Sequence, residues 1–353
     1  MLCYSFCARG YHSVFLDTRG SVWSCGNNEY GQLGLGDKVD RHIPVKIPNL
    51  IDIRVVAGGY YHTLFLDSNG SVWSSGRNDV GQLGHGDLKE RLAPARITNI
   101  PEIRYIATGT CHSLFLDHQG YVWGCGYNEF GQLGIGTNED CEKMVRIETL
   151  PSIKFLACGS HFSLFLDTLG GVWACGWNRE GELGIGDRAH RKIPEKILNI
   201  PDIAFISAGH NFSLLLDTRG SVWSCGGNVC GVLGHGDTVD RKCLVKIENL
   251  PDIRLVSAGW NHSLFLDIFG GVWSCGWNRD GELGHGDTTH RYLPVKISDD
   301  QKYRFISAGN FHSLFLDTQG GVSTCGSNDR GQLGHGDTVL RNRPVKITNV
   351  IAT

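Results

Sequence analysis

The feature that most constrains this chain is its period. Asp17, Asp67, Asp117, Asp167, Asp217, Asp267 and Asp317 fall 50 residues apart, and so do Asn28, Asn78, Asn128, Asn178, Asn228, Asn278 and Asn328. Gly184 has a counterpart in all seven units. A fixed period of this size marks a repeat architecture, in which each unit buries its apolar faces against its neighbours. The units run approximately over 1–50, 51–100, 101–150, 151–200, 201–250, 251–300 and 301–350. They fill nearly all of the 353 residues, so 1–353 reads as a single domain with no room for a separate catalytic one.

One unit reads as four short strands. In the second unit these are 53–58 (IRVVAG), 62–67 (HTLFLD), 71–76 (SVWSSG) and 94–97 (PARI). β-Branched and aromatic residues dominate them, and Gly, Asn and Asp fill the gaps. Between the second and third strands, Asp67, Ser68, Asn69 and Gly70 suit a tight hairpin, with the glycine free to turn left-handed. The second strand is apolar on both faces (Leu64, Phe65, Leu66), so both faces of its sheet need cover. A sheet packed between two like neighbours has that cover. The expected class is therefore all-β: a seven-bladed β-propeller with four antiparallel strands per blade. A linear solenoid is the competitor, but its end units are atypical caps, whereas the first and last units here are nearly regular. Ring closure has two solutions. Either each repeat is one blade, or the short link 97–101 is a hairpin inside a blade and the last strand clasps the first three. The clasp is the expectation carried forward.

Composition narrows the function classes. The net charge of −3 offers no electrostatic case for nucleic acid or an anionic membrane. The opening MLCYSFCARG lacks a charged-then-apolar leader pattern, and no apolar run approaches the roughly 18 residues of a spanning helix. A soluble protein of the cytoplasm or nucleus is expected. Of 13 cysteines, Cys25, Cys125, Cys175, Cys225, Cys275 and Cys325 share one strand position in different units. That spacing gives neither a metal-binding pair nor a disulfide framework, and they read as small buried hydrophobes in a reducing compartment.

The pattern G-x-x-H-S-L-F-L-D-x-x-G-x-V-W-x-C-G-x-N-x-x-G-Q-L-G-x-G-D, carried with one departure each by stretches such as 259–287 (Glu282) and 309–337 (Ser323), resembles the repeat of the regulator-of-chromosome-condensation (RCC1-type) propellers. The resemblance covers essentially the whole chain. It implies a choice of functions, because fold alone does not select one. The founding member is an exchange factor for the nuclear GTPase Ran and docks on nucleosomes, a plant member senses ultraviolet light through interface tryptophans, and others act as binding modules. The exchange activity relies on a wedge inserted in one blade. Here every unit keeps its 50-residue spacing, and the basic tail used for nucleosome docking is missing. The photoreceptor's Gly-Trp-Arg-His-Thr motif is approached only by 259–263, which lacks the arginine.

Repetition also sorts the candidate residues. The loop GWNREGELGIGD (176–187) looks like a phosphate cradle, yet it recurs seven times with no helix following, so its glycines read as architecture. His12, His62, His112, His262 and His312 share a register that Phe162 and Phe212 also fill, which makes it a packing position. The seven aspartates read as turn formers, and Asp187 with Arg191 as a local ion pair absent only in unit three (Thr137, Cys141). No singular catalytic set, metal cluster or cofactor loop stands out. Six tryptophans follow the period on the third strand; Trp177, Trp260 and Trp277 do not.

Strand direction places the variable residues on one face. In a four-strand meander, the loop between the first two strands and the segment after the third emerge together. Tyr60, Tyr61, Trp260 and Phe311 lie in the former. Tyr127, Phe130, Trp177, Arg179, Glu180, Trp277, Arg279 and Asp280 lie in the latter. Trp, Tyr and Arg are the types enriched at interface hot spots. The expected function is non-enzymatic binding of a protein partner through this face. The alternatives are exchange on, or binding of, a Ran-like small GTPase, and a structural role in a larger assembly.

Overall fold

The computed structural model describes residues 3–298 and 301–348. It contains seven four-stranded antiparallel sheets, each made of strands consecutive in sequence. The first blade is Cys3–Arg9, His12–Asp17, Val22–Gly26 and Arg41–Lys46; the second is Ile53–Gly58, His62–Asp67, Val72–Gly76 and Arg91–Arg96. The second strand of each blade is buried on both faces, as its unbroken apolar run demands: Leu64, Phe65 and Leu66 are fully buried. The first strands of all seven blades line a central channel. The fourth strand is the outer edge and is largely exposed. It spans Arg91–Arg96 in the second blade, starting before the expected Pro94, because this edge pairs on one side only and carries polar residues that hide its period.

Seven apolar clusters sit between neighbouring blades. One gathers Phe162, Leu164 and Leu166 of the fourth blade with Ile203, Ile206 and Leu215 of the fifth. Polar staples join the same interfaces. His12 Nε2 and Thr63 Oγ1 of the next blade are 3.0 Å apart, and that hydroxyl donates to the Gln32 carbonyl at 2.7 Å. His62, His112, His262 and His312 repeat the contact with Ser113, Ser163, Ser313 and Ser13. Phe162 and Phe212 fill the same place by packing alone.

The ring closes without a clasp. The first strand of the chain pairs with the second strand of its own unit, and the last described strand, Arg341–Lys346, pairs with Val322–Gly326 of its own. The expectation of strand exchange between the termini is therefore corrected. The short link is not a hairpin: it carries the chain from the outer edge of one blade to the channel-lining strand of the next. Closure instead repeats the ordinary contact between blades. Cys3 N donates to Gly320 O at 3.0 Å, Ala8 N to Ser307 Oγ at 3.0 Å, and Phe6 packs on Phe305.

The glycine loop is architecture. Asn178 spans it, accepting from Leu183 N at 3.0 Å and donating to Asp187 O and Ala189 O. Leu183 is fully buried in the interface with the next blade. Gly181 has φ +91°, and a β-carbon there would lie 2.4 Å from Lys242 Cα of the neighbouring blade. Only glycine meets both demands. The turn aspartates act as expected, and Asp17, Asp117, Asp167, Asp217 and Asp267 also hold the tryptophan of their blade: Asp167 Oδ1 accepts from Leu169 N and Gly171 N, while Oδ2 accepts from Trp173 Nε1 at 3.1 Å.

Candidate functional site: the loop face

The loops between first and second strands converge over one end of the channel. Tyr60 of the second blade and Trp260 of the sixth have ring centroids 5.5 Å apart. These blades are not neighbours in the ring, so the pair reaches across the mouth. Tyr11 and Phe311 join it, and His210 stacks on Trp260 at 3.8 Å with 14° between planes. Burial under that indole lowers the His210 pKa to about 4, so the stacked ring is neutral at pH 7. Tyr61 extends the cluster outward to Tyr30, and the Arg77 guanidinium lies over both of their rings.

A second cluster lies across the third and fourth blades. Phe130 stands 4.5 Å from Trp177, edge to face, and contacts His161, His190 and Tyr127. Trp177 stacks on His190 at 4.6 Å and donates from Nε1 to Glu180 Oε2 at 2.9 Å. A third, smaller group repeats this motif on the sixth blade, where Trp277 lies against His290 at 4.8 Å. In both blades the histidine Nδ1 accepts from the loop asparagine N–H, Asn178 or Asn278, at 2.9 Å. The first, third and fifth blades use Asp40, Asp140 and Asp240 for that bond. The histidine thus keeps the loop closed and adds a flat ring that the tryptophan covers.

The structure brings the twelve expected residues to one face but not into one patch. Tyr60, Tyr61, Trp260 and Phe311 belong to the mouth cluster. Tyr127, Phe130, Trp177 and Glu180 belong to the second, and Trp277 to the third. Arg179 and Arg279 are exposed and make no ion pair among the described residues. Asp280 is half-buried, and its carboxyl is raised by burial and by Asp329. Arg77, His161 and His210 stand among the variable residues of the same loops, though not among the twelve; Tyr11, His190 and His290 were missed. Their signal was present: each stands in a register that changes from unit to unit, but histidine draws less notice there than tryptophan.

With the geometry in place, comparison decides the family. The sequence profile of the "Regulator of chromosome condensation (RCC1) repeat" matches residues 19–66, 69–116, 119–166, 170–216, 219–266, 270–316 and 319–352. The chain belongs to the RCC1 repeat family. Among solved structures, it is similar to human WBSCR16, at 21% identity over 93% of this chain and 94% of that one, with a TM-score of 0.85. Yeast RCC1 (Prp20) bound to Kap60 gives 26% identity over 97% and 85%, also with a TM-score of 0.85. Prp20p from Saccharomyces cerevisiae, studied for binding to Gsp1p and histones, gives 24% over 96% and 88%, with a TM-score of 0.84. F-box only protein 24 of Homo sapiens and of Mus musculus each share 51% identity over 43 residues. That match spans 12% of this chain and 7% of each of those proteins. No helix among the described residues is long and apolar enough to cross a membrane.

This RCC1-repeat propeller has one further departure from its own period beneath the loop face. Gln32, Gln82, Gln132 and Gln332 occupy a buried register that holds Glu182 and Glu282 in the fourth and sixth blades. Glu182 Oε2 accepts from Glu180 N at 3.0 Å and Glu282 Oε2 from Asp280 N at 2.9 Å, as the Gln132 amide oxygen accepts from Phe130 N. Burial pushes the Glu182 carboxyl up to about 9 and that of Glu282 to about 8. Both are neutral acids at pH 7, shaped like the glutamine they replace.

Proposed function

We propose that this propeller binds a protein partner through the loop face and performs no chemistry itself. One observation carries the reading. The fourth and sixth blades each set a half-buried tryptophan on a histidine, with an exposed arginine two positions on (Trp177, His190 and Arg179; Trp277, His290 and Arg279). The repeat does not require these residues, and buried-edge aromatics beside arginine are the usual anchors of interfaces. No cofactor or metal enters the proposal. The test replaces Trp177, Trp260 and Trp277 together by Ala and compares recovery of co-purifying proteins with the parent chain. Loss of a discrete partner is expected, and unchanged recovery overturns the face assignment.

A small GTPase is the second reading for the same face. It is supported by the similarity to yeast RCC1 and by the binding to Gsp1p for which Prp20p was studied. Release of fluorescent GDP from Ran distinguishes the two. Acceleration above the intrinsic rate favours the GTPase; no acceleration, with tryptophan-dependent capture retained, favours a binding propeller of another specificity.

A further inference from the structure

The channel itself is a layered site. Arg9 occupies a register where the other six units carry Gly59, Gly109, Gly159, Gly209, Gly259 and Gly309. Its guanidinium reaches across the channel and donates to Cys158 O at 3.0 Å and Ala208 O at 3.3 Å. No carboxylate among the described residues pairs with it, and burial lowers its pKa from the ordinary arginine value. Those two bonds use two of its five N–H groups. A chamber of about 190 Å³ borders it. Ser207, Ser257 and Ser307 stand on one wall of that chamber. Each hydroxyl oxygen accepts a backbone N–H from the adjoining blade, from Ala258, Ala308 and Ala8 respectively, which leaves its own proton free to donate. The chamber therefore offers a cation and three hydroxyl donors.

Below it the wall changes character. Tyr105, Phe155, Phe205, Leu255 and Phe305 line a second cavity of about 390 Å³, with neighbouring rings 4.5 and 4.7 Å apart. At the far mouth, opposite the loop face, Arg54, Arg104, Arg254 and Arg304 each clip a backbone carbonyl of the next blade, with Lys154 in the same register. The acids nearest in sequence, Asp52, Glu102, Asp202 and Asp252, come within ion-pair distance of none of these cations. Arg54 borders the lower cavity, and its buried Nε has no partner.

We propose that the channel binds a small organic anion with a carboxylate head and an apolar, preferably aromatic, body. The basic collar draws the anion to the open mouth. The body lies among the aromatic side chains, and the head meets Arg9 and the serine hydroxyls. A carboxylate, an acceptor with no donor of its own, matches that chamber and compensates a buried charge that backbone carbonyls only partly satisfy. The Tyr60–Trp260 cap lies over the opposite end, so occupancy of the channel and of the loop face are separate events.

Isothermal titration of the full chain with 4-phenylbutyrate, and with its uncharged amide, tests this. Saturable one-to-one binding of the acid is expected, at least tenfold tighter than the amide. Arg9→Gly, which installs the residue of the other six units, should remove that tenfold preference and leave the amide within about twofold. Ala57→Leu, which fills the upper chamber without altering charge, should weaken the acid and leave Arg9 in place. The proposal is overturned by no saturable binding, by equal affinity for acid and amide, or by unchanged acid binding in Arg9→Gly.

Discussion

The third and fourth blades share a backbone and differ in what they bury at one position. Gln132 and Glu182 sit in the same cradle, each accepting a loop N–H through one oxygen, with Gln132 Nε2 and Glu182 Oε1 both unpartnered. Their carbonyls accept from Ser163 and Ser213 at 2.7 and 2.6 Å. The cradle thus selects shape and leaves charge to follow the medium. At Gln132 nothing titrates. In the fourth blade, and its twin the sixth, a carboxyl is kept neutral by burial. Its folded pKa lies above the unfolded value of about 4.3, so the folded chain binds the extra proton between the two values. The stabilisation is complete below about pH 4 and is lost as pH rises through about 8 to 9.

The largest expected effect follows from making the two blades alike. Glu182→Gln with Glu282→Gln should raise stability at pH 8.5 by several kcal/mol, because two carboxyls held far above their unfolded pKa no longer have to ionise, and change it little at pH 4. Urea titrations at the two pH values check this. The reverse change, Gln132→Glu, should bring the same pH dependence into the third blade. A gain from the double variant that is equal at both pH values would mean that the buried acids do not titrate as placed.

A middle-sized effect separates the two tryptophan–histidine pairs. Trp177 is held by Phe130, His190 and Glu180, whereas Trp277 rests on His290 alone among the ring contacts. Trp177→Ala should cost roughly 2 kcal/mol and Trp277→Ala roughly 1 kcal/mol, since a buried aromatic loses both area and ring contacts. Thermal melts of the two single variants make the comparison. Equal costs would show that the Phe130 cluster adds nothing to its neighbour.

The period made the fold legible because every blade solves the same packing problem, and a register common to seven units can only be structural. The first three strands were legible for that reason: Leu64, Phe65 and Leu66 have no polar alternative. The outer strand was read short because an edge with one partner tolerates Arg91 and Leu92 alike. Ring closure was misread because a short link between two strands looks the same in sequence whether it turns back or steps inward to the channel. In the channel, one arginine in a register of glycines says nothing in sequence of what it faces, and only the ring brings Arg9 opposite Cys158 and Ala208. His190 and His290 were hidden similarly, since one hydrogen bond accepted by aspartate in other blades says nothing of the indole stacked above.

The smallest expected effect tests the one loop without an ion pair. In the fourth blade Arg191 meets Asp187 at 2.6 Å and also donates to Ala189 O, while Asp187 Oδ1 accepts from Ala189 N. The third blade has Thr137 and Cys141 instead, yet Asn128 still bonds Thr137 O and Glu139 O at 3.1 Å. The asparagine therefore sets the loop, and the ion pair is an addition on its exposed side. Installing Thr137→Asp with Cys141→Arg should stabilise the chain by less than about 1 kcal/mol at pH 7, and by less again in high salt. The Arg191 hydrogen bond holds the Asp187 carboxyl below its ordinary value. The corresponding gain in the third blade should accordingly be present above about pH 4 and fade as pH falls through the lowered pKa. Urea titrations at pH 7 and pH 3, with and without added salt, measure it. A gain of several kcal/mol would overturn the asparagine's primacy and make the ion pair the element that organises the loop.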